Sequence, residues 1–326
     1  MVKVGIIGTG HGKNVHQKAL SFIKDTQSVI YGSRIDLKNI IENICMNKID
    51  FIIIASPTFL HLDYIEELTL KRVPFICEKP VGLNIEKLKE IKKRLSELNV
   101  VGCFGYQLRY DPWLVKVKKL IDQKVIGTIL DVNICWNSKR TIKLNETSWK
   151  SNSKLGGGIV WNYLPHIIDY LGWIIEPKSC ALENLTLLNN AEDDVMRQIH
   201  FSAKMNNISI NMYVSNNGTN NLGHKILFKG CSGVIKLTWQ YPYFTENSRL
   251  EVSVNKIKKI DVLKKSHKQF LKADNRVLPT FLMIKDFINF IRKTNSQNNL
   301  AKIDDAIFVH QNLLNINKMF EDYKAN

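Results

Sequence analysis

Along the first third of the chain, brief apolar runs alternate with longer stretches in which apolar residues recur every three or four positions. The brief runs are "VKVGIIG" (2–8), "SVIYGSR" (28–34), "DFIIIAS" (50–56), "VPFICE" (73–78) and "VVGCFGY" (100–106). They are rich in β-branched and aromatic residues and predict strands buried on both faces, as in a parallel sheet. Between them, "KNVHQKALSFIK", "DLKNIIENICMNK", "FLHLDYIEELTLKR" and "NIEKLKEIKKRLSELN" carry helical spacing, with Asp36 a candidate N-cap for the second. Strand–helix alternation across short joints predicts an α/β domain over residues 1–113, with a doubly wound parallel sheet of the Rossmann type.

Beyond this point the texture changes. A helix, "WLVKVKKLIDQ", leads into alternating segments: "TILDVNICWN", "SCALENLTLL", "VMRQIHFSAKM", "ISINMYVS", "KILFKGCSGVIKLT" and "RLEVSV". Period-two alternation separated by turn signals predicts a largely antiparallel sheet. Residues 114–326 are therefore expected to form a second, α+β domain for substrate binding and oligomerisation, closed by "PTFLMIKDFINFIRK" and "DDAIFVHQNLLNINKMFEDY".

Composition narrows the class. The chain has 326 residues, 44% hydrophobic and 23% charged, enough for two cores. No apolar run approaches bilayer length, and the start lacks a cleavable leader pattern, so a cytoplasmic protein with no membrane partner is expected. The cysteines Cys45, Cys77, Cys103, Cys135, Cys180 and Cys231 form no C-x-x-C pair and read as reduced core thiols, with no metal site. The net charge is +16, but the lysines are spread along the chain and form only short clusters such as "KIKKIDVLKKSHK". A diffuse positive field suits phosphate-bearing small molecules better than nucleic acid.

In a doubly wound sheet the ligand crevice lies at the C-terminal strand ends. The unusual groups cluster there: "GTGHG" after the first strand, "GSR" after the second, "SPT" after the third and "EKP" after the fourth. Gly8-Thr9-Gly10-His11-Gly12 joins strand to helix: Gly8 permits a tight turn, Gly10 lets backbone approach a pyrophosphate, and the following helix N-terminus offers free N–H groups. The spacing departs from G-x-G-x-x-G, since the third glycine comes one position early and Lys13 stands where it would fall. Ser33 and Arg34 end the second strand where a ribose-binding acid is usual, which favours NADP, with NAD the alternative. Glu78–Lys79 is otherwise a solvated turn.

"GIIGTGHGKNVHQKAL", "DFIIIASPTFLH", "VPFICEKPVG", "GYQLRYDP" and "SKLGGGIVWNYLPHIIDYLGW", in this order over nearly the whole chain, resemble the Gfo/Idh/MocA family of glucose–fructose oxidoreductase and inositol dehydrogenase type. The resemblance implies a pyridine-nucleotide oxidoreductase acting on a sugar, sugar nucleotide or polyol. It implies that Glu78 and Lys79 form the E-K-P motif, whose lysine lies near the nicotinamide and the reacting carbinol. Ser56, Pro57, Thr58 and His61 match a segment lining the cofactor, and His166 matches the acid/base histidine. Asn162 falls where many members carry aspartate. Such a histidine takes the hydroxyl proton and a lysine ammonium stabilises the forming alkoxide. Asn162 and His166, four apart, are expected to share a helix face, although Pro165 disturbs a helix there. The plainer reading of His166 is a core histidine packed against Tyr163 and Trp173.

Two departures from the family pattern stand out. Asn162 cannot ionise, and the stretch from "YGSR" to "DFIIIAS" holds one helix where the family places two around a short strand. They motivate an alternative function, a catalytically inactive cofactor-binding sensor or subunit. Substrate-binding candidates are Arg109, Tyr110, Trp149, Lys150 and Lys154, because Trp and Tyr stack on sugars and Lys and Arg pair with phosphates. A broad sheet with one open face suggests a homodimer or homotetramer.

Overall fold

The computed structural model describes residues 1–32, 37–139, 152–177, 180–187, 196–218, 223–239, 248–255, 257–261, 270, 274–294 and 299–325. By their contacts the residues fall into two compact units, Met1–Asp111 with Arg276–Gln311, and Pro112–Asn275 with Asn312–Asn326.

The first unit is built on five parallel strands: β1 (Val2–Ile7), β2 (Thr26–Tyr31), β3 (Phe51–Ile54), β4 (Phe75–Glu78) and β5 (Gly102–Gly105), in the order β2-β1-β3-β4-β5. β3 and β4 are buried at every position, as a sheet covered on both faces requires. β2 alternates and ends the sheet, which fits the short sequence between it and β3. Its ladder runs from Thr26 to Tyr31, beginning two residues ahead of the predicted run.

A π-helical turn, Gly12–Gln17, runs into the short α1 (Lys18–Leu20) in place of the longer α-helix that the spacing predicts. Then come α2 (Leu37–Met46), α3 (His61–Leu70) and α4 (Ile85–Leu98). α4 follows the sequence rules closely: the Asn84 side chain accepts from Lys87 N at 3.0 Å, Leu88, Ile91 and Leu95 form the buried stripe, and Asn99 ends the helix left-handed. Asp36, the expected N-cap of α2, lies outside the described residues.

The second unit opens with α5 (Pro112–Asp122) and β6 (Ile129–Lys139), followed by α6 (Gly158–Asn162) and α7 (Leu164–Ile175). The strands β7 (Cys180–Leu187), β8 (Gln198–Met205), β9 (Ile208–Gly218), β10 (Gly223–Gly230), β11 (Gly233–Trp239), β12 (Arg249–Val254) and β13 (Ile257–Asp261) complete an eight-stranded sheet, ordered β13-β12-β11-β10-β6-β9-β8-β7. All neighbours are antiparallel except β6 and β9. β13 falls in "KIKKID", where the sequence showed only a basic cluster. Cys77 and Cys103 are core thiols as expected, but Cys231, in the β10–β11 turn, is exposed.

Two long helices follow, α8 (Val277–Ile291) and α9 (Ile303–Ala325). α8 groups with the first unit, where Phe287 meets Phe51 edge-on at 5.1 Å; α9 is divided between the units. No helix among the described residues is long and apolar enough to cross a membrane.

Candidate active site

The three glycines of the β1 loop meet three different surroundings. Gly8 has φ +124°, and a Cβ there would stand 2.3 Å from the Ala55 carbonyl oxygen. Only glycine fits, because both the backbone conformation and the close approach of β3 exclude a side chain. At Gly12 a Cβ would stand 2.8 Å from the Ile6 side chain, so this glycine lets the helix sit on β1. At Gly10 a Cβ would meet nothing within 4 Å. The loop is thus closed where it touches the sheet and open where the strand ends face outward. A pyrophosphate fits this arrangement, with Gly10 and the adjoining helix start as its cradle. Thr9 and Gly10 are exposed, and His11 is half-buried.

Glu78, the last residue of β4, is buried. His16 Nε2 lies 2.7 Å from its Oε1, and His11 Nε2 lies 3.4 Å from the same oxygen. The Lys79 backbone N–H donates to Oε2 at 3.3 Å. Burial by itself would raise the Glu78 pKa, but the His11 and His16 rings outweigh it and hold the carboxyl well below its usual range. Burial lowers the pKa of His16, against the opposing pull of Glu78. The trio therefore reads as a buried carboxylate fed by imidazole N–H donors. Their donor atoms lie within 4.8 Å of one another, but the 2.7 Å contact is that of a hydrogen bond. Arg276 Nη1 donates to His11 Nδ1 at 3.4 Å, which leaves the His11 proton on Nε2, toward Glu78. Gly105, the β5 partner of Glu78, makes the room: a Cβ there would stand 2.9 Å from Glu78 Cα.

Lys79 follows, half-buried, with a cis bond to Pro80. The turn is braced from below by His61, whose Nδ1 lies 2.8 Å from the Pro80 carbonyl and whose Nε2 lies 2.9 Å from the Ser56 carbonyl. His61 is 1% exposed and its pKa is lowered, chiefly by burial. It ties the β3 end to the Lys79 turn. Ser56 and Pro57 are half-exposed on that same strand end, and Thr58 is buried.

Arg109 and Tyr110 are both buried. Arg109 Nη2 pairs with Asp305 at 3.0 Å, and the Tyr110 hydroxyl donates to Asp286 at 2.6 Å. They fasten the end of β5 to α9 and α8. Ser33, Arg34, Trp149 and Lys150 lie outside the described residues.

In the second unit, Asn162 and His166 occupy two helices and not one face of a single helix. α6 ends at Asn162, Tyr163 breaks the run with φ −110°, and Pro165 sits in the first turn of α7, where a missing N–H costs nothing. The Asn162 amide donates to the Gly158 carbonyl at 2.8 Å. His166 is half-buried and its ring lies 6.2 Å from that of Trp136. Trp136 meets Tyr163 edge-on at 5.0 Å, and Ser138 Oγ lies 3.1 Å from the Tyr163 hydroxyl. Sequence reading missed this wall. The signal was the β6 period: Val132 and Ile134 are buried, so Trp136 and Ser138 follow on the same face. Lys154 is exposed on a separate turn, Ser153–Leu155.

A parallel sheet with a glycine loop at its first strand end and an acid–lysine–proline turn at its fourth defines a dinucleotide-binding oxidoreductase class. Residues 26–106 match the oxidoreductase family model with NAD-binding Rossmann fold, and residues 114–254 match the GFO/IDH/MocA C-terminal domain. The chain belongs to the Gfo/Idh/MocA family. Among its relatives, glucose-6-phosphate 3-dehydrogenase of Bacillus subtilis is 26% identical over 193 residues, covering 54% of each protein. Inositol 2-dehydrogenase of Rhizobium meliloti is 27% identical over 210 residues, covering 59% of this chain and 61% of the relative. The chain thus spans little more than half the length of these relatives. A super-repressor mutant of Gal80p from Saccharomyces cerevisiae shares the fold, with a TM-score of 0.78 at 17% identity, over 97% of this chain and 95% of that one.

Proposed function

We propose that this protein is a nicotinamide-dependent oxidoreductase acting on a secondary alcohol or ketone of a sugar, sugar nucleotide or polyol. The observation that carries the proposal is the Lys79 turn, anchored by the buried Glu78 carboxylate next to a glycine loop that is open at Gly10. In this reading the first unit holds the dinucleotide through Gly8, Thr9, Gly10, His11 and Gly12, with Ser56 and Pro57 on the neighbouring strand end. The second unit contributes the substrate residues. When bound, the nicotinamide ring accepts or returns a hydride.

The chain's own residues do the rest. The Lys79 ammonium stabilises negative charge on the substrate oxygen. His166 takes the hydroxyl proton in oxidation and returns it to the ketone oxygen in reduction. Asn162, with its amide on the Gly158 carbonyl, acts as a positioning residue. Trp136 and Tyr163 offer aromatic faces and a hydroxyl to a polyol, and Lys154 offers a cation to a phosphate. Arg109 and Tyr110, already paired, hold the scaffold. Ser33 and Arg34 support NADP over NAD. A cytoplasmic homodimer or homotetramer completes the proposal, paired through the β-sheet face that carries Asn133, Cys135, Tyr213 and Leu227 and lines a cavity of about 570 Å³.

The direct test follows reduced-cofactor absorbance with NADP+ or NAD+ against a panel of sugars, sugar phosphates, sugar nucleotides and inositols. Turnover supports the proposal. Cofactor binding by calorimetry with no turnover on any of them favours a second reading, an inactive sensor or subunit, which Asn162 in place of an ionisable acid motivates.

A further inference from the structure

One cation beside the glycine loop comes from far along the chain. Arg276 precedes α8, which packs within the first unit against α1 and the π-helical turn. Its guanidinium Nη1 reaches His11 Nδ1 at 3.4 Å, and the residue is exposed. His11 is the fourth of the five loop positions and follows directly on Gly10, beside which no atom lies within 4 Å of a Cβ. The other ring nitrogen of His11 is turned to Glu78, so the ring stands between a buried anion and an exposed cation.

We propose that Arg276 is a phosphate ligand of the bound dinucleotide, resting on the dinucleotide reading above. Three observations lead there. The space beside Gly10 can take a pyrophosphate, the helix start supplies N–H groups but no full charge, and Arg276 places a planar, permanently charged donor fork at the edge of that space. The ligand carries two negative charges, and the loop itself has only Lys13 as a fixed cation. The bond from Arg276 ends on a ring nitrogen of His11, and a phosphate oxygen offers the same guanidinium an anionic acceptor instead.

The test uses the full-length chain and titrates NADPH, NADH, ADP-ribose and adenosine by fluorescence or calorimetry against wild type, Arg276→Gln and Arg276→Lys. Arg276→Gln is expected to weaken both reduced cofactors and ADP-ribose about 10- to 100-fold, the span of a lost hydrogen bond to a charged group. Adenosine, which has no phosphate, should bind the variant as it binds wild type. Arg276→Lys should recover part of the loss, and the salt dependence of ADP-ribose binding should flatten in Arg276→Gln. A purely structural role predicts equal losses for adenosine and ADP-ribose, and overturns the proposal. Unchanged ADP-ribose affinity in Arg276→Gln also overturns it, while leaving the dinucleotide reading standing. Failure of wild type to bind either reduced cofactor removes both.

Discussion

His224 offers a prediction whose size follows from its surroundings. It sits on β10, with Trp136 of β6 and Trp239 of β11 as its cross-strand partners. Its ring stacks on Trp136 at 4.3 Å and lies 4.7 Å from Trp239, and its Nε2 is hydrogen-bonded to the Tyr170 hydroxyl at 3.1 Å. Burial pushes its pKa from 6.5 down to about 3. The unfolded chain therefore takes up this proton first as pH falls. Stability from His224 is complete above about pH 6.5, declines below it, and stops declining near pH 3. Between pH 7 and pH 5 the linkage relation costs about 2 kcal/mol. His224→Gln keeps a hydrogen-bonding group for Tyr170 and removes the titration. All six tryptophans lie between Trp113 and Trp239, within the second unit, so their emission reports its unfolding. Urea titrations at pH 7 and pH 5 should show wild type losing about 2 kcal/mol more than His224→Gln. The buried His16, His61 and His310 titrate in both proteins and cancel in this difference. Equal losses in the two proteins would refute the reasoning.

Other expectations concern the proposed site. Lys79→Ala should lower turnover about 10²–10³-fold while calorimetry shows cofactor binding intact, and full activity would remove Lys79 from the mechanism. Gly8→Ala should destabilise the first unit by on the order of 2–3 kcal/mol, measured by circular dichroism in urea, because a side chain meets both the +124° φ and the Ala55 carbonyl. Gly10→Ala, with open space around it, should leave that stability within about 0.5 kcal/mol and weaken NADPH binding instead, and equal effects of the two substitutions would contradict their different surroundings. Glu78→Gln should cost on the order of 2 kcal/mol at pH 7, since His16 loses its charged acceptor. The carboxylate's contribution is present above its unfolded pKa near 4.5 and lost as pH falls through its depressed folded value, so the penalty should shrink in acid.

Much of the first unit was legible because its strands are short apolar runs with no competing helical period: "FIII" and "FICE" have nowhere to go but between two layers. Polar residues at strand ends pointed to the crevice, and the early third glycine is explained by Gly12 packing on Ile6. The direction of Glu78 was not legible. An acid closing an apolar run faces water by default, and only the pairing of β4 with Gly105 and the buried His16 turn it inward. His16 had a faint signal, a polar residue between Val15 and Ala19 on the buried side of the turn. Arg276 had none, since its place depends on α8 grouping with a unit encoded far upstream. Arg109 and Tyr110 read as substrate-binding candidates because their acidic partners, Asp305 and Asp286, are equally remote in sequence.

The parallel junction of β6 with β9 also bears on how the protein is made. Asp131 lies beside Ser209, so the middle of the eight-stranded sheet cannot zip up from a hairpin and must wait for a long loop to close. His166 and its helix lie inside that loop. The proposed proton carrier thus takes its final address only after a slow, non-local step, and a newly made chain has its imidazole long before it has an imidazole with a fixed environment.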